Sequence, residues 1–208
     1  MSRTTSNVGK PGFILGVNYD ANDGRQVDFS RVPTSFENAD GNKELPGGTV
    51  VSELGSGKVV PRSSTKAAIT NLTEDGTGTA TATAADHGYE VGDEIKITGA
   101  GVDAYNGTWT IATVPDADTF TFDGVSGSPA DDGSGATAVI VAMGILLATA
   151  LQGDTQDAIS GYGLVIGGVV FKNLLEEDGN SDFDTWLSEL KENGTGFVFE
   201  SYSDDRSN

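Results

Sequence analysis

Polar and apolar residues alternate with period two over three stretches in the middle of the chain. Ile95 and Ile97 alternate with Lys96 and Thr98, Trp109 and Ile111 with Thr108 and Thr110, and Phe120 and Phe122 with Thr119 and Thr121. Successive side chains of a strand point to opposite faces, so this pattern predicts three half-buried strands. The sequence "YNGT" at 105–108 supplies a tight turn ahead of the tryptophan strand. One-sided apolar faces of this kind close over one another as a small β-sandwich or barrel. The flanks "LTEDGTG" at 72–78 and "GVSGSPADDGSG" at 124–135 are rich in Gly, Asp and Ser and read as linkers. Residues 66–138 are therefore expected to be a β domain inserted into a loop of another domain.

The sequence on either side is denser. Residues 47–65 read as strand, Gly-Ser-Gly turn and strand, with Val50, Val51 and Leu54 facing Val59 and Val60, and Pro61 at an edge or exit. "VIVAMGILLATAL" at 139–151 predicts a buried strand pair, or one long strand broken at Gly144. One helix is predicted near the C-terminal end, capped by Ser181 or Asp182 and stopped at Gly194. Its Phe183, Trp186, Leu187 and Leu190 fall on one apolar face. A last strand follows, with Phe197 and Phe199 on one side and Val198 on the other. The expected class is mainly β (α+β): a compact β core with one helix in its C-terminal half, plus the inserted small β domain.

Residues 1–46 show no sustained period. Short apolar clusters, "GFILGV" at 12–17 above all, are separated by Asn, Asp, Gly and Pro. Such a segment cannot build its own core but is too rich in bulky groups for a linker, so it reads as an extended arm. Phe13, Ile14, Leu15 and Val17 form a short uncharged stretch suited to adding a strand to the sheet edge of another protein. The competing reading is an N-terminal strand tucked into its own domain.

Charge sharpens the division. The chain carries 31 acids against 12 Lys and Arg, a net charge of −19. Residues 1–66 hold eight bases and seven acids, which is +1; the rest hold four bases and 24 acids, which is −20. Within residues 67–138 twelve acids face Lys96 alone, a net of −11. That surface disfavours nucleic acid, whose binding relies on Lys and Arg, and it resists non-specific association. The nearly neutral front segment is the part suited to lie against another protein. With no cysteine there is neither a disulfide framework nor thiolate chemistry. No apolar run is long enough to span a membrane, and the first ten residues lack an apolar signal core, which predicts assembly in a cytoplasm.

Candidate chemistry is sparse. "GYGLVIGGVVFKNLLEEDG" at 161–179 has the glycine density of a phosphate loop, but the third glycine of G-x-G-x-x-G is replaced by Ile166. Its β-branched and bulky residues favour a strand, with Gly167-Gly168 as a bulge or close approach. "GSGK" at 55–58 lacks the Ser or Thr that a P-loop needs after Lys58. His87 is the single histidine and reads as a turn residue or hydrogen-bonding cap; Asp86 and Asp93 flank it, with no sign of an activated serine. Asp178, Asn180, Asp182, Asp184 and Glu189 approach EF-hand spacing, but Phe183 occupies the obligatory glycine position. The aromatic strands could present a sugar-binding face, although period two points to core. No cofactor, metal or catalytic residue is expected, and the chain does not read as an enzyme.

"PGGTVVSELGSGKVVP" at 46–61, "AMGILLATAL" at 142–151 and "GVVFKNLL" at 168–175, followed by a helix and a last strand, resemble the lambda-type head decoration proteins that cement expanded capsids of tailed bacteriophages. The likeness spans about 90 residues and includes the Gly-Ile-Leu-Leu-Ala run at 144–148 in its strand–helix–strand order. It implies a mixed β core formed by 47–65 and 139–208, and homotrimers on the capsid exterior of the virion. It also implies that the arm at 1–46 pairs with the major capsid protein through Phe13, Ile14, Leu15 and Val17. The inserted 66–138 module departs from the family. It resembles a small β module of phage structural and tail proteins and is expected to project outward. The alternative reading is therefore a tail or receptor-binding structural protein that uses this module on a host surface glycan or protein.

Overall fold

The computed structural model describes residues 14–133, 135–146, 149–152, 162–171, 183–192 and 197–200. The protein is mainly β, with one short α-helix among the described residues. The chain forms two compact units, Met1–Val51 with Ala142–Asn208, and Ser52–Val141.

In the first unit the strands are β1 (Ile14–Arg25), β2 (Glu44–Leu45), the start of β3 (Val50–Glu53), β12 (Ala142–Leu146), β13 (Ala150–Leu151), β14 (Tyr162–Phe171) and β15 (Phe197–Glu200); the helix is α1 (Phe183–Glu192). Their sheet runs β1-β14-β12-β3 and continues to β4 (Val59–Pro61), and β15 joins at β14. The glycine-dense segment is thus a central strand and not a phosphate loop, as its β-branched residues predict. One edge of β14 pairs antiparallel with β1, from Ile14 opposite Val170 to Arg25 opposite Tyr162. Its other edge is shared. Leu164 and Val165 face Leu146 and Ile145 of β12, whereas Gly168 to Phe171 run parallel to Phe197 to Glu200 of β15. The double glycine lies where the partner changes.

Residues outside this sheet also contribute packing here. Val27, Phe29, Val32 and Leu45 are buried, and the Asp28 carboxylate accepts the Ser30 N–H at 3.1 Å to cap a short 3-10 turn over Phe29–Arg31. Leu45 of β2 sits opposite Ala150 of β13. Hence residues 14–46, which read as an arm, belong to the sheet and packing of their own unit. The apolar groups are spaced by turns, so they bury without leaving a period. Along α1, Trp186, Leu187 and Leu190 are buried, as the predicted apolar stripe requires.

The second unit holds the rest of β3 and β4 (Val59–Pro61), β5 (Ala67–Ala68), β6 (Asn71–Glu74), β7 (Thr79–Thr83), β8 (Glu94–Thr98), β9 (Gly107–Asp116), β10 (Thr119–Asp123) and β11 (Thr137–Ile140). Seven of these form one sheet in the order β5-β11-β8-β9-β10-β7-β6. Its two end strands are consecutive in sequence, so the sheet curls on itself with residues 67–74 as the seam. Ile69 N–H donates to Ala136 on one side of that seam at 2.8 Å, and Thr70 N–H donates to Thr83 on the other at 2.8 Å. The three predicted strands are present with the predicted faces: Ile95, Ile97, Ile111, Phe120 and Phe122 are buried. β7 supplies small partners for the large rings, with Ala82 opposite Phe120 and Ala80 opposite Phe122.

Three boundaries differ from the sequence reading. The β3–β4 hairpin was expected with the flanking core, but Leu54 and Val60 belong to the same apolar cluster as Ile69 and Ile140, and Ser52 Oγ donates to the Ile140 carbonyl at 3.0 Å. The compact unit consequently runs from Ser52 to Val141. The flanks expected as linkers are tied together, because Leu72 and Asp132 exchange backbone hydrogen bonds of 2.7 and 2.9 Å. The apolar run at 139–151 breaks at Val141, between β11 and β12, and Gly144 lies inside β12.

The hairpin is anchored by Gly55, whose N–H donates to the buried Asp93 carboxylate at 2.6 Å. A Cβ at Gly55 would overlap the Val91 carbonyl, whereas one at Gly57 would meet nothing within 4 Å. Gly55→Ala is expected to destabilise this unit by about 3 kcal/mol, through backbone displacement and the strained Asp93 bond. Gly57→Ala, at φ +79, is expected to cost only about 1–2 kcal/mol. Urea unfolding followed by Trp109 fluorescence in a Trp186→Phe background checks both.

Candidate functional site

The residues expected to contact a partner lie at the edge of a sheet. Phe13 is outside the described residues. Ile14, Leu15 and Val17 are on β1, the terminal strand in its sheet order. Ile14 pairs with Val170, Gly16 with Val169 and Val17 with Gly168, so Leu15 is the extra residue of a bulge. The structure therefore pairs this stretch with its own chain, and one backbone side of β1 is committed to β14. The other is the edge of the described sheet, where alternating N–H and C=O groups can accept an added strand.

His87 sits inside the second unit, 6% exposed. Its Nδ1 accepts the Tyr89 N–H at 2.9 Å, which assigns the proton of the neutral ring to Nε2. The imidazole packs on Tyr89 and Phe120, with both centroid distances 5.1 Å, and Tyr89 donates its hydroxyl to the Thr65 carbonyl at 2.9 Å. Nε2 is buried and makes no hydrogen bond. Of the two flanking residues, Asp86 contributes its backbone N–H and Asp93 its carboxylate. The Asp86 N–H donates to Asp118 at 3.0 Å, and the Asp93 carboxylate receives Gly55 at 2.6 Å and Glu90 at 2.8 Å. His87 is the core of a capped turn, as its setting in the sequence suggests.

Carboxylates elsewhere on this unit do similar work. Asp75 lies below its ordinary carboxylate range because the Thr77 hydroxyl donates to it at 2.7 Å, aided by the Thr77 N–H at 2.8 Å. Asp116 is lowered chiefly by the Asp118 N–H at 2.9 Å and then by the Thr119 hydroxyl at 2.9 Å. Tyr105 is shifted upward, first by burial and then by Asp131, Glu74 and Asp132. Its hydroxyl donates to Ala130 at 3.3 Å. None of these acids gathers into a site: among the described residues no group of three or more His, Cys, Asp or Glu is placed to hold a metal ion.

The EF-hand-like spacing is partly described. Asp178, Asn180 and Asp182 lie outside the described residues, whereas Glu189 is buried on α1 and accepts the Ala142 N–H at 3.5 Å. That carboxylate joins the helix to β12. The aromatic strands resolve as core. Phe120 and Phe122 are fully buried, and the half-buried Trp109 packs on Phe122 at 5.1 Å while its indole N–H donates to Tyr105 at 2.9 Å. The sequence reading missed the loop-binding roles of Asp93 and Asp132. Each stands beside a glycine, Gly92 before Asp93 and Gly133 after Asp132, as in any surface turn, and their partners are 38 and 30 residues away.

No protein-family model matches the chain, and no curated protein matches it. Among solved structures, the chain is similar to the phage phi92 endosialidase, with 27% identity over 36% of this chain and 12% of that one, at a TM-score of 0.32. A likeness of that size and coverage carries no functional argument. No helix of the described residues is long and apolar enough to cross a membrane.

The depressed carboxylates make an acid-dependent prediction. A group whose folded-state pKa is lowered contributes stability above its unfolded value and loses it as pH falls through the folded one. Asp75 and Asp116 should thus favour the folded unit fully above about pH 4 and lose that contribution progressively as pH falls below it through their lowered folded-state values. Thr77→Val removes the largest cause at Asp75. A carboxyl NMR titration should show Asp75 moving up toward its ordinary value, with Asp116 unchanged.

Proposed function

We propose that this chain is a structural capsid decoration protein, which binds the expanded head of a tailed bacteriophage and stabilises contacts between capsomers. One observation carries the reading. The segments that resemble the decoration family are distant in sequence, yet their described parts occupy neighbouring strands of one sheet: β3, β12 and β14. Thr49 accepts the Leu146 N–H at 2.9 Å, and Leu146 accepts the Gly48 N–H at 2.7 Å, so the first two segments are joined across the sequence that separates them. A likeness scattered along a chain gains weight when its pieces form one structural element.

The chemistry of the polar groups supports the same reading. His87, Asp93, Asp132 and Glu189 are used to hold turns and elements together. Function then rests on surfaces. A protein that binds the assembled shell, and not its separated subunits, stabilises that shell by mass action. Homotrimers at symmetric positions repeat one weak contact and raise avidity. In this reading the partner is the major capsid protein and the nearly neutral front of the chain makes the contact. The acidic second unit faces outward on the virion, where its charge keeps a densely coated particle soluble.

Co-sedimentation with expanded empty heads of the parent virus tests this. The full chain should bind saturably and raise the temperature at which the heads disrupt. Deletion of residues 1–13 leaves β1 intact and should weaken binding at least about tenfold if the contact includes Phe13, a loss equivalent to one factor of ten in Kd. Unchanged binding by the deletion would move the contact elsewhere on the chain. Failure of the full chain to bind would overturn the decoration role.

A further inference from the structure

We infer that Asn106-Gly107 is a deamidation site that the folded second unit keeps closed, so that the modification marks chains that have unfolded. The inference rests on the local geometry alone and is independent of the capsid reading. Asn-Gly is the dipeptide in which the following backbone nitrogen is least hindered, because glycine carries no side chain. In the reaction the Gly107 amide nitrogen loses its proton to hydroxide and attacks Cγ of Asn106. The Cγ–Nδ2 bond breaks as the departing nitrogen takes a proton from water, so ammonia leaves, hydroxide is regenerated and a five-membered succinimide closes. One water then opens either ring carbonyl, giving aspartate or isoaspartate at position 106.

The structure blocks the first step in three ways. The Asn106 amide is clamped at both ends by one residue: Oδ1 accepts the Ala100 N–H at 3.0 Å, and Nδ2 donates to the Ala100 carbonyl at 3.0 Å. Nδ2 also reaches Asp103 Oδ1 at 3.5 Å. The backbone at Asn106 is extended, φ −70 and ψ 135, and its N–H is tied to the Asp103 carbonyl at 3.0 Å. Closing the succinimide requires rotating ψ out of that region and turning Cγ toward Gly107. Finally, Gly107 is the first residue of β9, paired with Ile97, and the Trp109 indole lies 3.6 Å from the position a Cβ would take there. That indole is fixed by its bond to the Tyr105 carbonyl.

The product cannot restore the clamp. A carboxylate at position 106 has no N–H for the Ala100 carbonyl, and it brings a second negative charge to Asp103. Isoaspartate also adds a backbone carbon just before β9, displacing the register of Gly107 against Ile97. An unfolding event long enough for the chemistry thus becomes irreversible at this position.

The test uses the full chain held at mildly alkaline pH, in buffer and in concentrated urea, with peptide mass mapping over time. Asn193-Gly194 is the same dipeptide and serves in each tube as a sequence-matched reference. In urea the two sites should react at comparable rates. In buffer, deamidation at Asn106 should be at least about tenfold slower than in urea, since it must wait for local opening. Equal rates at Asn106 in buffer and urea would overturn the proposal. As a second measurement, Asn106→Asp should melt at a lower temperature than the parent chain when read at Trp109. An unchanged melting temperature would overturn the claim that the product disrupts the clamp.

Discussion

Backbone hydrogen bonding across the seam at residues 67–74 is the constraint on which the second unit depends. A curled sheet of short strands exposes two edges unless its ends meet, and open edges are both unsatisfied and prone to pairing with other chains. Here one continuous stretch of chain serves both edges. Ala67 and Ala68 pair with β11, and Asn71 to Glu74 pair with β7, with Ile69 and Thr70 turning the corner between them. Closure gives the large side chains an inside. Ile95, Ile97, Ile111, Phe120 and Phe122 point into a space narrow enough that alanines, and not larger residues, stand opposite the rings. The Leu72–Asp132 bridge adds the long loop before β11 to the same seam.

The acidity of the chain has a structural part as well as a solvation part. Acceptors are needed wherever the backbone turns sharply, and Asp supplies them two residues away or across a gap. Asp28, Asp75 and Asp116 each receive an N–H from two positions further on. Asp93 and Asp132 receive N–H groups from distant loops. A composition that first suggests only a repelling exterior is in part an inventory of turn caps. This is also why carboxylates are abundant near one another without forming a metal or catalytic group among the described residues.

In the first unit the comparable element is β14. It holds β1 on one side and divides its other side between β12 and β15, so strands from both halves of the chain meet on it. The chain leaves this sheet after β4 and returns to it at β12, with strands β5 to β11 in between. β1 is the terminal strand of the described sheet.

Alternation along the sequence was enough to determine β8, β9, β10 and the apolar stripe of α1, because side-chain period is a local consequence of backbone geometry. It also excluded a phosphate loop at 161–179, since bulky β-branched residues prefer extended backbone whatever surrounds them. Tertiary structure alone decided the rest. β7, built from "TATAT", carries no strong apolar signal, and its alanines become core only because Phe120 and Phe122 stand opposite. The hairpin at 52–61 could pack with either flank, and Leu54, Val60 and the Asp93 clamp assign it to the second unit. Ile14 and Val17 read first as an arm for a partner, with a strand of their own domain as the competing reading, and the register pairs them with β14 of their own chain. Such choices depend on which distant backbone supplies the matching N–H and C=O groups, and no local pattern encodes that partner.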